Sequence, residues 1–216
     1  MTPTHHPSDD LLTKAAAGTL DLGRHIAVAT HVHGCARCRT WTRMVESLGG
    51  DLLEDLPPAV MSSDALDSVK SRLDSVHAVP AERARPVGAL SDIPGLTAFV
   101  RDYPAGDWRW VAPGIHLMPI YPPAADDVRV FLLKARRGLK LLPHTHSGVE
   151  MTCVLAGSFS HDGEHYGPGA FDLGDANVDH LISIGGDVDC ISLVAMSGEL
   201  QLMGLFGRLM QPFVSI

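Results

Sequence analysis

Apolar positions recur at helical spacing through the first part of the chain. Leu66, Val69 and Leu73 lie at i, i+3 and i+7 in SSDALDSVKSRLDSVHAV, on one stripe of a helix. The stretch SDDLLTKAAAG begins with Ser8 as a helix N-cap and ends at Gly18 as a stop signal. LDLGRHIAVATHVHG and ARCRTWTRMVESLGG continue with helical spacing, and the second ends on its two glycines, 49 and 50. The pattern therefore predicts about four short helices before residue 77.

The pattern changes after a proline-rich stretch. PAERARPVGALSDIPG has no apolar periodicity and indicates a linker. Short β-prone runs follow, separated by Gly, Pro and Asp at the spacing of an all-β sandwich or barrel. These runs are DWRWVAPGIHLMPIY, VRVFLLKARRG, EMTCVLAGSFS, GAFDLGD and CISLVAM. We predict an α + β chain of two domains: a small helical bundle over 1–77, a linker over 78–92 and an all-β domain over 93–216.

Composition limits the classes of function. Of the 216 residues 45% are apolar, enough for a real core, and no apolar run approaches the roughly 18 residues of a membrane span. MTPTHHPSDD lacks the basic and apolar segments of a signal peptide, so we expect a cytoplasmic protein. The net charge of −8 argues against direct nucleic-acid binding. It suits a basic protein partner, although the same acidity also serves solubility alone.

The first group of metal-binding residue types lies in HVHGCARC. His31, Cys35 and Cys38 lie at i, i+4 and i+7, which share one face of a helix. Gly34 can break that helix without moving the three side chains far apart. Imidazole nitrogen and thiolate sulfur are the donors that zinc prefers, and Cys-x-x-Cys places two sulfurs close together. The spacing therefore predicts a zinc site.

A closed tetrahedral site needs a fourth ligand. Either His5 or His6 can supply it, the spacing does not separate them, and His33 competes with His31. Such a site would clip the N-terminal segment onto the second and third helices, and a metal would supply much of the stability of a bundle with so thin a core. The alternatives are two buried thiols or a redox pair. A redox pair fits a thioredoxin-like βαβ pattern, which this sequence lacks.

The second group lies in GLKLLPHTHSGVEMTCVLAG, with the spacing G-x5-H-x-H-x3-E-x6-G. His144 and His146 are two residues apart and so face the same side of an extended strand. Glu150 has the same parity, but a straight strand would carry it roughly 20 Å from His144. The chain must therefore bend, and Ser147-Gly148 offers the place. The three side chains can then converge inside a small barrel.

A later strand is expected to provide a fourth ligand of this second site. YGPGAFDLGDANVDH contains a Pro-Gly turn and ends at His180, the predicted ligand. His161 and His165 lie in the polar turn SHDGEHYGPG and are expected to be exposed, and His116 is expected to lie outside the site. Three imidazoles and one carboxylate can hold zinc, iron, manganese or nickel. The alternative is a fold without metal, whose histidines are satisfied by hydrogen bonds.

Both groups resemble known motifs. The spacing from Gly138 to Gly157 matches the first motif of the cupins without a gap. HH-x-SDDLL followed by HVHGCARC looks like the N-terminal zinc domain of anti-sigma factors, which is marked by a distant histidine and H-x3-C-x2-C. Together with the closing LMQPFVSI, their order resembles the ChrR-type anti-sigma factors of bacteria over nearly the whole chain.

The resemblance implies a fold and a function. It implies a zinc-stapled helical bundle that binds an extracytoplasmic-function sigma factor and blocks the surfaces that the factor needs for RNA polymerase. It implies a cupin (jelly-roll) barrel that takes part in the response to singlet oxygen or related oxidants, after which the sigma factor is released. Both sites would hold zinc. The implied ligands are His6, His31, Cys35 and Cys38 for the first site, and His144, His146, Glu150 and His180 for the second.

Other functions are compatible with the residues. A metal-dependent cupin enzyme, such as a dioxygenase or isomerase, would need an open coordination position and a substrate pocket, but it has no need of the helical zinc module. Alternatively, both metals are structural and the cupin domain forms a homo-oligomer. For sensing, Met151, Cys153 and Cys190 lie near the second motif and carry oxidisable sulfur, although their apolar neighbours favour ordinary core roles.

Overall fold

The computed structural model describes residues 3–74, 90–123, 127–141, 144–174 and 182–202. The described helices are α1 (Asp9–Ala16), α2 (Leu22–Gly34), α3 (Ala36–Glu54), α4 (Ala65–Asp74) and α5 (Ala98–Arg101). The described strands are β1 (Arg109–Ala112), β2 (Ile115–Ile120), β3 (Val128–Ala135), β4 (His144–His146), β5 (Glu150–Ala156), β6 (Ser158–His161), β7 (Glu164–Tyr166), β8 (Phe171–Gly174), β9 (Ser183–Gly185), β10 (Cys190–Ser197) and β11 (Leu200–Leu202). Helices thus precede an antiparallel β part, and the predicted fold class is confirmed.

The helix signals in the sequence succeed at α1 and fail at α3. Ser8 caps α1 by accepting a hydrogen bond of 3.2 Å from the backbone N–H of Leu11, and Gly18 follows the helix with a φ of 67°. The predicted end of α3 at residues 49 and 50 is wrong, because the helix continues to Glu54. Glycine costs a helix only about 1 kcal/mol, and neither glycine adopts the left-handed backbone that ends one. None of the helices in the described ranges combines the length and apolar character needed to cross a bilayer.

The β part consists of one large sheet faced by smaller ones. The large sheet has six strands in the order β1-β2-β3-β10-β5-β8, and the smaller sheets have the orders β7-β6-β9 and β11-β4. Five consecutive residues of β5 are buried, because Met151 and Cys153 face the helices while Val154 packs between the sheets. A strand that is covered on both faces has a near-continuous apolar run, as in MTCVLA, where Thr152 is the one polar residue.

Helix α2 lies against the outer face of the large sheet, where it meets β3, β5 and β10. Ile26 and Val28 have no exposed surface, and they belong to the same core cluster as Leu132 and Leu193 of the sheet. The sequence indicated a helical bundle with a thin core of its own. In the structure the helices instead share a core with the large sheet. Leu90, inside the predicted linker, is also buried in this shared core.

The sequence pattern did not predict the shortest strands. β4, β7, β9 and β11 have three residues each, too few to show a period of two. Asp162 and Gly163 join β6 to β7 with φ angles of 50° and 81°. Two consecutive residues with positive φ are the mark of a type I′ hairpin turn, for which Asp-Gly is a favoured sequence.

Replacing Gly23 with alanine should lift α2 from the sheet. A Cβ atom at this position would lie 2.6 Å from Cγ1 of Val128 on β3. We expect Gly23→Ala to lower the free energy of unfolding by about 1–3 kcal/mol, the usual effect of overpacking. Gly49→Ala is the matched control, since its Cβ would meet nothing within 4 Å and alanine favours a helix by up to about 1 kcal/mol. If denaturant unfolding found Gly23→Ala as stable as Gly49→Ala, α2 would not be seated as described.

Candidate metal centre

Four side chains from three segments converge at the C-terminal end of α2. His6 precedes α1, His31 lies in the last turn of α2, Cys35 caps that helix, and Cys38 lies in the first turn of α3. One donor atom from each residue lies within 4.8 Å of the other three. His6 is half-buried and the other three are buried. We call this group the four-residue centre.

The donor atoms of the centre are in close mutual contact. Nδ1 of His6 lies 3.4 Å from Nε2 of His31 and 3.5 Å from Sγ of both Cys35 and Cys38. Nε2 of His31 lies 3.3 Å from Sγ of Cys38. A neutral imidazole nitrogen offers either one N–H or one lone pair, so these contacts cannot all be hydrogen bonds at once. A single cation among the four atoms would accept a lone pair from each, and the group could therefore hold a metal ion.

A break between two helices produces this convergence. α2 ends at Gly34 and α3 begins at Ala36, with Cys35 between them in an extended conformation (φ −108°, ψ 110°). The backbone N–H of Cys35 still donates to the carbonyl of His31 at 3.0 Å. Because only one residue leaves the helical conformation, Cys38 turns back toward His31 instead of continuing along one axis. The sequence analysis expected that Gly34 can break the helix without moving the three side chains far apart, and α2 does end at Gly34.

The structure separates the histidines that the spacing left open. His6 lies in the four-residue centre, whereas His5 points to the β part. Nε2 of His5 lies 2.8 Å from Oε2 of Glu164, and its ring stacks on Tyr166 with the centroids 4.0 Å apart. His33 is exposed at the end of α2. The side chains brought together are therefore those of His6 and His31.

The β part contacts the centre through the outer nitrogen of His31. Nδ1 of His31 lies 2.7 Å from the carbonyl oxygen of Gly169, which can only accept a hydrogen bond. Nδ1 must therefore carry the proton, which leaves a lone pair on Nε2 pointing into the centre. Such a bond from the second ring nitrogen commonly orients a histidine that binds a metal.

Burial controls the protonation of the centre. It lowers the pKa of His31 to about 4, although the bond to Gly169 opposes this change, and it also lowers the pKa of His6. Burial raises the pKa of Cys38 to about 12, and the neighbouring Cys35 adds to the increase. At neutral pH His31 can therefore donate a lone pair to a metal, whereas the Cys38 thiol must release its proton when it binds one.

The predicted second ligand set is only partly described. His144 is buried on β4, and Glu150 begins β5 in a different sheet. The chain bends between them at Ser147-Gly148, where a Cβ on Gly148 would lie 2.5 Å from the carbonyl oxygen of Ser197. His180 and the side chain of His146 lie outside the described residues. The second metal site stays a prediction.

A small cavity of about 40 Å³ lies beside Glu150, between the large sheet and the β7-β6-β9 sheet. Its polar lining includes Thr152, Asp172 and Ser192, and Oε1 of Glu150 accepts a hydrogen bond of 2.9 Å from Thr152. Cys190 also lines the cavity, and burial raises the pKa of its thiol. The thiol there is neutral and shielded, and a neutral thiol is a weak nucleophile.

One histidine lies where the sequence did not place it. His161 was expected to be exposed but is buried on β6, with Nδ1 3.9 Å from Oδ2 of Asp172. His165 is exposed, as expected. The Asp162-Gly163 hairpin signal could have revealed the strand, since alternation then places His161 on the same face as the buried Phe159.

Metal affinity of the four-residue centre should rise with pH. His31 is already deprotonated near neutrality, because its pKa lies at about 4, whereas the thiol of Cys38 has a pKa of about 12. Each thiol proton that a metal displaces should raise the apparent association constant by about tenfold per pH unit between pH 6.5 and 8. Calorimetric titration with Zn²⁺ in buffers of different ionisation enthalpy measures both quantities. Affinity that is independent of pH over this range would exclude thiolate coordination.

Comparison with known proteins gives the family of the chain. A family model described as the ChrR cupin-like domain matches residues 97–197. The anti-sigma-E factor ChrR of Cereibacter sphaeroides is 32% identical over 219 residues, covering 100% of both chains.

A solved structure is similar as well. The crystal structure of Rhodobacter sphaeroides SigE in complex with the anti-sigma ChrR contains a chain that is 32% identical, with a TM-score of 0.72. The match covers 91% of the present chain and 100% of that one. With this identity along its full length and the ChrR cupin-like domain in its β part, the chain belongs to the ChrR family of anti-sigma factors.

Proposed function

We propose that this protein is an anti-sigma factor that binds an extracytoplasmic-function sigma factor through its helical part and so inhibits transcription. The full-length relative is named an anti-sigma factor, and the similar solved structure is a complex of such a factor with SigE. A regulator rather than an enzyme follows from the same relatives. The alternative of a cupin dioxygenase or isomerase has no comparable support over the whole chain.

The observation that carries this function is an apolar surface on α3 and α4. Leu66, Val69 and Leu73 form one stripe of α4 and are exposed by 63%, 51% and 67%. α4 makes no extensive contact with any other described element. A ten-residue helix is marginal in water without a partner on its apolar face. The stripe is therefore the surface that we assign to the sigma factor.

The second half of α3 extends this surface. Met44, Leu48 and Leu52 are spaced by four residues along one side of α3, and each is more than half exposed. The segment from Asp51 to Asp67 carries five acidic residues and no basic one. We define the docking surface as these two apolar stripes with the acidic segment between them. Its charge suits a basic partner, whose approach it would accelerate.

We further propose that the metal of the four-residue centre is zinc. Zinc binds nitrogen at about 2.0–2.1 Å and sulfur at about 2.3 Å, so tetrahedral coordination sets the donors about 3.3–3.8 Å apart. The nitrogen–nitrogen distance of 3.4 Å and the nitrogen–sulfur distances of 3.3–3.5 Å agree with this geometry. When bound, zinc would cross-link the N-terminal segment, α2 and α3, which fixes where the docking surface begins.

For the β part we propose a second divalent metal, held by His144, His146, Glu150 and His180, and a role in the response to singlet oxygen or related oxidants. The position of Glu150 supports this proposal, because its side chain lines the small cavity between the sheets. Met151 and Cys153 are buried, so as core residues they are poor first targets for an oxidant. The domain boundaries 1–77, 78–92 and 93–216 and a cytoplasmic location belong to the same proposal.

Charge placed on the apolar stripe of α4 should weaken sigma binding. We expect Val69→Glu plus Leu73→Glu to weaken the complex at least roughly 30-fold, since truncating a central interface residue costs about 2 kcal/mol or more. The matched control is Ser68→Glu plus Ser71→Glu, which adds the same charge to the opposite face of α4. The measurement is co-purification and titration with each extracytoplasmic-function sigma factor of the source organism. Equal binding by both double variants would remove α4 from the interface.

The two metal sites should empty independently. We expect Cys35→Ala plus Cys38→Ala to lose one zinc ion per chain and most sigma binding, because the cross-link between the helices is gone. His144→Ala plus His146→Ala should lose the other metal and keep the first. Elemental analysis and native mass spectrometry count the ions. A cysteine variant with full zinc content, or with unchanged sigma binding, would contradict the proposed role of the centre.

A further inference from the structure

One turn of the β part contacts the four-residue centre, although all four candidate ligands come from the helical part. This segment, residues 164–171, runs from β7 to the start of β8, and we call it the barrel turn. It touches His31 and the chain around His5, more than 130 residues away in sequence. Such a contact joins the centre to the β part directly.

The first set of contacts orients His31. The carbonyl of Gly169 accepts the hydrogen bond of 2.7 Å from Nδ1, which fixes the tautomer that leaves Nε2 free to bind. The ring of Phe171 lies edge-on to the imidazole, with the centroids 5.9 Å apart. The barrel turn thus sets both the tautomer and the plane of a candidate ligand.

The second set of contacts fixes the segment that carries His6. The backbone N–H of Phe171 donates to the carbonyl of His5 at 3.1 Å. The ring of His5 stacks on the Tyr166 ring with the centroids 4.0 Å apart, and its Nε2 lies 2.8 Å from Oε2 of Glu164. No helix or strand includes His6, so its place depends on these neighbours. An unanchored segment would lose conformational entropy on binding a metal, and the anchored segment has already lost it.

We propose that the barrel turn is a structural part of the metal centre, and that the centre keeps its metal firmly only while the turn contacts His31 and His5. Gly169 and Glu164 act as positioning residues. Because linkage is reciprocal, a bound metal also strengthens the contact between the helical part and the barrel turn. A disturbance of the β part that moves the turn therefore loosens the metal. This inference rests on the proposed zinc centre and is independent of the sigma factor.

A pair of glycine substitutions tests the proposal. Gly169 and Gly163 have nearly equal positive φ angles, 84° and 81°, so alanine strains the backbone equally at both. A Cβ on Gly169 would lie 2.9 Å from Cγ of Pro3 in the N-terminal segment, whereas one on Gly163 meets nothing within 4 Å. The measured quantity is the rate at which full-length, zinc-loaded protein gives up its metal to a chromogenic chelator. The Cys35→Ala plus Cys38→Ala variant identifies which phase of release belongs to the four-residue centre.

We expect Gly169→Ala to release this metal roughly tenfold faster than the wild type or more, the usual effect of disturbing a partner of a metal-bound histidine. Gly163→Ala should release it at nearly the wild-type rate. Equal rates for the two variants would overturn the proposal. If Gly169→Ala does not fold, the decision passes to a second pair of variants in the same turn.

Glu164→Ala and His165→Ala form this second pair. Both side chains are exposed, so neither change threatens the fold, but only Glu164 contacts His5. Glu164→Ala should speed release by roughly threefold, a smaller effect than that of a direct partner of a ligand. His165→Ala should have no effect. If neither variant alters the rate, the turn does not position the segment that carries His6.

Hydrogen exchange gives the reciprocal test in the unmodified protein. Removal of zinc should speed exchange of the Phe171 amide, which donates to His5, by roughly tenfold relative to the Leu193 amide at the centre of the large sheet. Unchanged protection of Phe171 would overturn the coupling while leaving the zinc centre intact. If instead the wild-type chain loaded no zinc that depends on Cys35 and Cys38, the zinc centre itself would be wrong. The two failures are thus distinguishable.

Discussion

The packing of α2 on the large sheet is the constraint on which the other features depend. Burial of side chains such as Ile26 and Val28 contributes about 1.5–3 kcal/mol each and fixes the helix against β3, β5 and β10. Its last turn carries His31, and its cap is Cys35, so the seated helix delivers half of the four-residue centre to a defined place. The rest of the centre is assembled around that end.

The helical part consequently has a fixed region and an unpartnered region. α1, α2 and the first turn of α3 surround the four-residue centre and pack on one another. The second half of α3 and the whole of α4 carry apolar side chains that no described element covers extensively. A metal at the centre would fix the start of α3 and hence the direction in which its exposed stripe projects. This arrangement suits a protein that binds a partner through α3 and α4 while α2 packs on the β part.

The β part has two roles in this arrangement. Its large sheet completes the core of the helices, and its barrel turn reaches the four-residue centre through Gly169 and Glu164. The cavity beside Glu150 lies between the sheets, on the other side of the large sheet from α2. A change in the cavity therefore has two physical routes to the helices, through the sheet and through the barrel turn.

Local sequence signals determined the longer helices and strands, the kinds of donor atoms and their spacing. Ser8 and Gly18 bounded α1 correctly because caps act over a few residues. The type of fold also followed from the sequence, since helical and strand periods are local properties. Local signals failed at two places. α3 continues through its two glycines despite their low helix propensity, and His161 is buried although its neighbours in sequence are polar. The spacing left His5 and His6 open and only the family resemblance implied His6, whereas the tertiary structure placed His6 beside the other three residues. Only the tertiary structure decided that helices and sheet share one core. The physical reason is that these choices rest on contacts such as His31 with Gly169, 138 residues apart, whose free energy exists only once the chain has folded.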